Sequence, residues 1–354
     1  MCKRVKTTIL MVFLGALVSL FAVTDFHEDT TPVPSGYMLG FYNVENLFDT
    51  EDDPRTHDNE YLPDRGKKWD DQRYQKKLDM LARVILAMKD WEGPDVLGLC
   101  EVENKTVLDD LIHQTNLETF GYSIVHRDSK DRRGIDVALL YKHNFFKVAE
   151  VTMLKVPLPD NKPTRDIMAV KGLLKGDTTD VFLFINHWPS RWGGEVESAP
   201  KRVAAAKVLR MAIDSVQSLY ESPQIVVMGD FNDDPDDASL SNYLNAEKCG
   251  DEYSSKSLCN LSFRYVEQDE IGSLKFQHQW HYFDQIMVSG NLLDDAGMLT
   301  AKLNTAEIFH PDWLMADDDK FGGKQPFRTY SGPYYTGGYS DHFPVSVMVE
   351  FNAK

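Results

Sequence analysis

Short apolar runs bounded by Gly, Pro or Asp recur along the chain. They predict strands at Gly36–Val44, Asp95–Val102, Tyr122–His126, Ile135–Tyr141, Val181–Asn186, Gln224–Met228, Tyr282–Val288 and Phe343–Phe351. Their β-branched and aromatic content favours strand over helix. Helical spacing marks three other stretches. Leu78, Leu81, Val84, Ile85 and Met88 share one stripe, with Gln72, Arg73, Lys76 and Lys77 read onto the opposite side. Val107, Leu108, Leu111 and Ile112 form a second stripe, and Val203–Leu219, rich in Ala, a third. Strands and helices are interleaved, with hairpin-like pairs between Lys147 and Gly176, which predicts an α/β sandwich with mixed or antiparallel sheets. The polar stretches Thr50–Asp70 and His310–Tyr339 read as loop-like insertions. No repeat, linker or composition break divides the chain, so residues 25–354 read as one domain.

The first 24 residues read differently. Lys3, Arg4 and Lys6 precede an apolar run from Ile9 to Val23, and an acidic stretch begins at Asp25. This is the pattern of a secretory signal peptide. As a helix the run reaches roughly 22 Å, short of a bilayer's hydrocarbon core of about 30 Å. The expectation is an exported, periplasmic or extracellular protein, a monomer with no membrane insertion once the leader is cleaved. Of the remaining cysteines, Cys249 and Cys259 flank a short polar loop and are close enough in sequence to bridge, whereas Cys100 lies in an apolar strand. No CxxC pair points to a disulfide scaffold or a zinc site.

Composition narrows the function. At 42% hydrophobic and 26% charged, the chain is globular rather than disordered. Its net charge of -17 excludes passive polyanion binding, so contact with nucleic acid requires a local basic patch or bound cations.

Polar residues cluster where the apolar strands end. Asn43, Glu45 and Asn46 follow the first strand, Glu101 and Glu103 the second, Asn186 and His187 the fifth, and Asp230, Asn232 and Asp233 the sixth. Asp284 interrupts the seventh, and Asp341-His342 opens the last. One such residue is an ordinary cap or turn. Carboxylates, amides and two histidines at successive strand ends point to one site on a rigid scaffold. Carboxylate and amide oxygens suit Mg²⁺ or Mn²⁺, and histidine supplies a proton donor or acceptor near neutral pH. No glycine-rich phosphate loop or nucleophile elbow is present. Ser340 beside Asp341 and His342 does not make a triad, because neighbours on a strand point in different directions.

Asn43-Val-Glu45-Asn46, Leu99-Cys-Glu101-Val, Asn186-His187-Trp188, Gly229-Asp230-Phe231-Asn232, Phe283-Asp284-Gln285-Ile286 and Ser340-Asp341-His342-Phe-Pro occur in that order. In this the chain resembles the endonuclease/exonuclease/phosphatase superfamily of metal-dependent phosphoesterases, from Asn43 to His342. The resemblance implies a four-layer α/β sandwich, two mixed β-sheets packed face to face and flanked by helices. It implies Glu101 as principal ligand of Mg²⁺ (or Mn²⁺), with Asn43 close to metal and phosphate and Asp341 able to hold a second cation. Asp230 would activate the attacking water, Asn232 would hold a phosphate oxygen, and His342 would contact the scissile phosphate, oriented by Asp284. His187 matches the second histidine of the deoxyribonuclease and sphingomyelinase branches, a proton donor to the leaving oxygen.

Further positions follow from the residues themselves. Asp136, inside an apolar strand, needs a partner, and His187 is the expected one; pairing with Arg133 or Arg191 is the alternative. Arg133 and Arg191 are the chosen substrate-binding cations among Arg132, Arg133, Arg165 and Arg191. Trp188 and Trp192 either pack beneath the site or stack on a base. The leading expectation is an exported Mg²⁺-dependent phosphodiesterase acting on DNA or RNA by direct attack of water. The second is a phosphodiesterase or phosphatase for phospholipid head groups or small phosphate esters. A non-catalytic binding module would have lost one of Glu101, Asp230, Asn232 or His342, and all four are present.

Overall fold

The computed structural model describes residues 35–176, 180–250, 253–268, 271–294 and 297–352. The leader read over residues 1–24 lies outside them. In chain order the main elements are β1 (Gly36–Leu47), α1 (Asp71–Ala87), β2 (Val96–Val102), α2 (Lys105–His113), β3 (Tyr122–His126), β4 (Asp136–Lys142), β5 (Phe146–Leu154), β6 (Ile167–Leu174), β7 (Val181–His187), α3 (Glu195–Leu219) and β8 (Gln224–Asp230). There follow β9 (Ala246–Lys248), β10 (Leu258–Asn260), α4 (Phe263–Gln268), β11 (Leu274–Phe276), β12 (Gln279–His281), β13 (Asp284–Ser289), β14 (Leu299–Ala301), β15 (Glu307–Ile308), β16 (Met315–Asp317), β17 (Lys324–Pro326), β18 (Tyr330–Ser331), β19 (Tyr334–Tyr335) and β20 (Val345–Phe351).

Two mixed sheets carry the fold. One has the order β14-β20-β1-β2-β4-β3, with β15 on β20; the other has the order β5-β6-β7-β8-β13-β10-β9. β1 runs parallel to β2, and β7 parallel to β8. Strand alternation shows how the layers stack. In β7, Val181, Leu183 and Ile185 join the large core shared with β1, β2 and β4, while Phe182 and Phe184 join a second core with Ala205, Leu209 and Ile213 of α3. β8 divides the same way, with Val226 and Met228 inward and Ile225 and Val227 toward the helix. On the far side, Leu78, Leu81, Val84 and Ile85 of α1 pack against the first sheet. The architecture is the four-layer α/β sandwich the sequence predicts.

The structure corrects several local readings. Lys77 is not on the polar side of α1. It is buried, and its ammonium donates to Thr329 Oγ1 at 2.6 Å and to the Tyr339 carbonyl at 2.5 Å. Helix α3 starts eight residues before Val203 and contains Pro200. Part of the 310–339 insertion is ordered as two small hairpins, β16–β17 and β18–β19. Cys249 and Cys259 form a disulfide, and Cys100 is a buried free thiol. No helix among the described residues is long and apolar enough to cross a membrane.

Candidate active site

The two parallel strand pairs end at the same edge of the sandwich, and the site is built from those ends. Register sets His187 beside Asp230, and Asp230 beside Asp284 on the antiparallel neighbour. Across the sandwich, the pairing of β1 and β2 breaks between Asn43 and Leu47, and that of β2 and β4 between Cys100 and Val102. At these irregularities Glu45, Asn46 and Glu101 take φ of 50°, 49° and 62°, and Asn232 beyond β8 takes 52°. Left-handed backbone costs roughly 1–2 kcal/mol for most L-residues, less for Asn than for Glu, and persists where surrounding contacts enforce it, often at functional sites. Gly229, just before Asp230, is required by close packing: a Cβ there would lie 2.5 Å from Asn186 Cβ.

The contacts tie these residues into one cluster. Asp284 Oδ2 lies 2.6 Å from His342 Nδ1, the pairing expected of them. Burial alone would lower the His342 pKa, but the Asp284 carboxylate and its hydrogen bond, with Asp230 and Asp341, hold it well above the ordinary range. Ser340 Oγ accepts the His342 N–H at 3.1 Å and donates to the Asn43 carbonyl at 2.7 Å, fixing the turn between β1 and His342.

Asp230 accepts the Asn43 amide at 3.0 Å and the Asn232 backbone N–H at 2.9 Å. Burial pushes its carboxyl up to about 7, with Asp284 adding to the effect and His342 opposing it. That value suits a group that takes a proton from water near neutral pH. Asn43 has its Oδ1 on the Glu45 N–H, so its contacts orient Asp230. Asn232 uses one amide hydrogen on the Trp188 carbonyl at 3.0 Å. Trp188 is buried with its indole N–H on Asn186 Oδ1, so it packs beneath the site, whereas Trp192 is exposed.

His187 Nε2 lies 3.7 Å from Asp230 Oδ2 and 3.9 Å from Glu101 Oε1. Burial, then the charges of Arg165, Arg133 and His342, hold its pKa well below the usual value. Its Nδ1 is buried without a hydrogen-bond partner. The expected pairing with Asp136 is not formed. Asp136 heads β4 and closes the preceding loop: Oδ1 accepts the Ser129 N–H at 3.0 Å, and Oδ2 faces His126 Nε2 at 3.8 Å. Asp136 thus stands outside the catalytic cluster, paired with neither Arg133 nor Arg191.

The two chosen arginines differ. Arg133 is about half exposed and reaches Glu101 Oε1 at 3.4 Å, which leaves it able to meet an anion. Arg191 is engaged on all sides: Nε donates to the Asn232 carbonyl at 3.0 Å, and the terminal nitrogens pair with Asp237 at 2.6 Å and Glu195 at 3.1 Å. These contacts fix the turn after β8 and occupy the guanidinium with protein groups. Arg165 is likewise held, by Asp131 and the Trp188 carbonyl.

A second group of acids lies beside the cluster. Glu101 Oε2 accepts the Asn46 N–H at 2.9 Å. Glu45 accepts the backbone N–H groups of Thr329 and Tyr330 and lies 3.9 Å from Lys77 Nζ. Burial and then the Asp341 charge push Glu45 up to about 7, against the pull of Lys77. Asp341 pairs with Arg328 at 2.8 Å. Against the burial penalty, Arg328, His342 and Lys77 hold its carboxyl below the ordinary range. Lys77 and Arg328 are the residues the sequence reading missed. Lys77 was legible in principle, since it lies three residues after Tyr74 and four before Leu81 on the buried stripe.

The family model of the endonuclease/exonuclease/phosphatase family matches residues 38–351. Among solved structures, the chain is similar to D. rerio TDP2 complexed with single strand DNA product, at 14% identity over 90% of this chain and 100% of that one, with a TM-score of 0.55. It is similar to the human Nocturnin catalytic domain at 15% identity, covering 90% and 96%, TM-score 0.54. It is also similar to a mannosyl-6-phosphatase of Bacteroides thetaiotaomicron at 16%, covering 89% and 100%, TM-score 0.54. No curated protein matches the chain. At these identities the solved structures carry the fold, and the family model carries the membership. The chain belongs to the endonuclease/exonuclease/phosphatase family and is a metal-dependent phosphoric ester hydrolase.

Proposed function

We propose that this protein is an exported Mg²⁺-dependent phosphodiesterase that cleaves nucleic acid by direct attack of water on phosphorus. The reading takes residues 1–24 as a leader and 25–354 as one catalytic domain. The observation that carries it is the geometry around Asp230: His342 is held by Asp284 at 2.6 Å, and His187 Nε2 lies 3.7 Å from Asp230 Oδ2. His342, held cationic by Asp284, neutralises a phosphate oxygen. Asp230 accepts the proton of the attacking water, oriented by Asn43 and the Asn232 backbone. Asn232 has a second amide hydrogen for a phosphate oxygen. His187, with Nε2 toward two carboxylates, carries its proton there and donates a hydrogen bond to the departing oxygen. The leaving oxygen of an alkyl phosphate ester builds alkoxide charge as its P–O bond breaks; that hydrogen bond stabilises it, and it then takes its proton from solvent.

The family's divalent ion fits the donors present. Glu101 Oε1 lies 3.9 Å and Asp230 Oδ2 3.7 Å from His187 Nε2, and Asp341 Oδ1 lies 4.0 Å from His342 Nε2, so carboxylates flank both histidines. Oxygen donors of this kind suit a hard cation, Mg²⁺ or Mn²⁺. Glu101 and Asp341 would hold it, and once bound it supplies charge neutralisation at the phosphate and leaving oxygens. The similarity to TDP2 with bound single strand DNA product favours a polynucleotide.

One observation favours a second reading. Arg191 and Arg165 are engaged with protein groups and Trp188 is buried, which removes two cations and one tryptophan from contact with a long polyanion. Small phosphate esters or phospholipid head groups would need less surface. Purified protein assayed with Mg²⁺ against DNA, RNA, sphingomyelin and a phosphomonoester separates the readings. Cleavage of DNA or RNA above the monoester is the expected result; phosphate release from monoesters with polynucleotides intact would establish the second reading instead.

A further inference from the structure

Away from the catalytic cluster, β3 and β4 bring His126, Asp128 and Asp136 together. One ring nitrogen of His126 and one carboxylate oxygen from each aspartate lie within 4.8 Å of one another. The histidine side chain is only 3% exposed, and its Nε2 is buried without any hydrogen-bond partner. That nitrogen faces Asp136 Oδ2 at 3.8 Å, too long for a hydrogen bond. Two donors each about 2.1 Å from one ion at a tetrahedral angle stand roughly 3.4 Å apart, so the observed gap closes with a small side-chain movement. The other ring nitrogen lies 3.8 Å from Asp128 Oδ1, whose side chain is two-thirds exposed and free to swing.

A salt bridge does not account for the arrangement. Burial holds the His126 pKa below its usual value and pushes the Asp136 carboxyl up to about 7, as expected of groups buried without an opposite charge. Of the arginines around this loop, Arg165 pairs with Asp131, Arg133 with Glu101, and the Arg127 guanidinium reaches the His126 carbonyl at 3.3 Å. A buried carboxylate and a buried lone imidazole nitrogen are thus set face to face without the cation that would satisfy both.

We propose that His126, Asp128 and Asp136 form a second divalent-cation site, distinct from the active site and selective for a first-row transition ion such as Zn²⁺ or Mn²⁺ over Mg²⁺. One imidazole with two carboxylates is softer than the all-oxygen set at Glu101, which gives the two sites different preferences. Its role is structural. Asp136 Oδ1 accepts the Ser129 N–H, Ser129 Oγ accepts the Asp131 N–H, and Asp131 accepts the Arg133 N–H. An ion on Asp136 therefore secures the loop that presents Arg133 to the active site.

The test uses the full chain with Glu101→Gln, which weakens the active-site ion, and with His126→Gln or Asp128→Asn added. Each protein is loaded with Zn²⁺ or, separately, Mn²⁺, desalted, and its metal content measured alongside hydrogen exchange over residues 127–134. Glu101→Gln alone should retain about one equivalent and show slowed exchange in the loop, with Mg²⁺ producing neither effect. Adding His126→Gln should abolish both, and the exposed Asp128→Asn, which leaves the core untouched, should weaken retention about tenfold or more. Equal retention with and without these substitutions, no retention by Glu101→Gln, or an equal response to Mg²⁺ would overturn the site.

Discussion

Asp284 shows how much of this chemistry rests on single contacts. Its carboxylate lies 2.6 Å from His342 and reverses the effect of burial on that ring. Asp284→Asn is expected to lower kcat by about 10²–10⁴-fold with KM changed little, because an amide cannot stabilise the imidazolium. Steady-state kinetics checks this, and an unchanged kcat contradicts the role. Arg133 and Arg191 should separate in the same assay. Arg133→Ala is expected to raise KM severalfold with little loss of stability. Arg191→Ala removes the partner of several carboxylates and should cost about 2 kcal/mol, lowering Tm by a few degrees. The reverse pattern would restore Arg191 as the substrate contact. The sequence showed that both are cations near motif strands. It could not show that the acids after β8, Asp233, Asp234 and Asp237, occupy one of them.

The elements were legible where one periodicity ran unbroken. The two faces of β7 and β8 and the stripe of α1 are visible in the alternation and spacing of apolar residues. Short or exceptional pieces were not. The hairpins within 310–339 have strands of two or three residues, too short for alternation to register. Pro200 hid the first turns of α3, because proline normally marks a boundary. Lys77 was misplaced because its charge outweighed its spacing, and burying it requires the acceptors that the 310–339 insertion supplies. Lys77→Ala should therefore destabilise the protein by about 3–5 kcal/mol, as expected when one member of a buried ion pair is removed. Chemical denaturation measures it, and a loss below about 1 kcal/mol, typical of an exposed pair, contradicts the burial. Asp136 failed for a related reason: its need for a partner was visible, but the loop and histidine that meet it come from the β3–β4 connection rather than from β7.

Over the whole molecule, the fold brings the ends of two parallel strand pairs, one from each sheet, to one edge, and the residues there carry the family's chemistry. The chain as a whole opposes a polyanionic substrate, with a net charge of -17. Cleavage of polynucleotide is therefore expected to keep rising with Mg²⁺ after the catalytic ion is saturated, as added cation screens the encounter, whereas turnover of a small neutral-headed ester should level off. Metal-dependent hydrolysis of a phosphodiester at the Glu101, Asp230 and His342 cluster is checked by the rate of DNA and RNA cleavage with Mg²⁺, in excess chelator, and with Glu101→Gln in Mg²⁺, with folding verified by circular dichroism. Cleavage is expected only in the first condition, restored after chelation by Mg²⁺ or Mn²⁺, with the Glu101→Gln protein folded and nearly inactive. Full activity in chelator, or a folded Glu101→Gln protein as active as the parent, would contradict it.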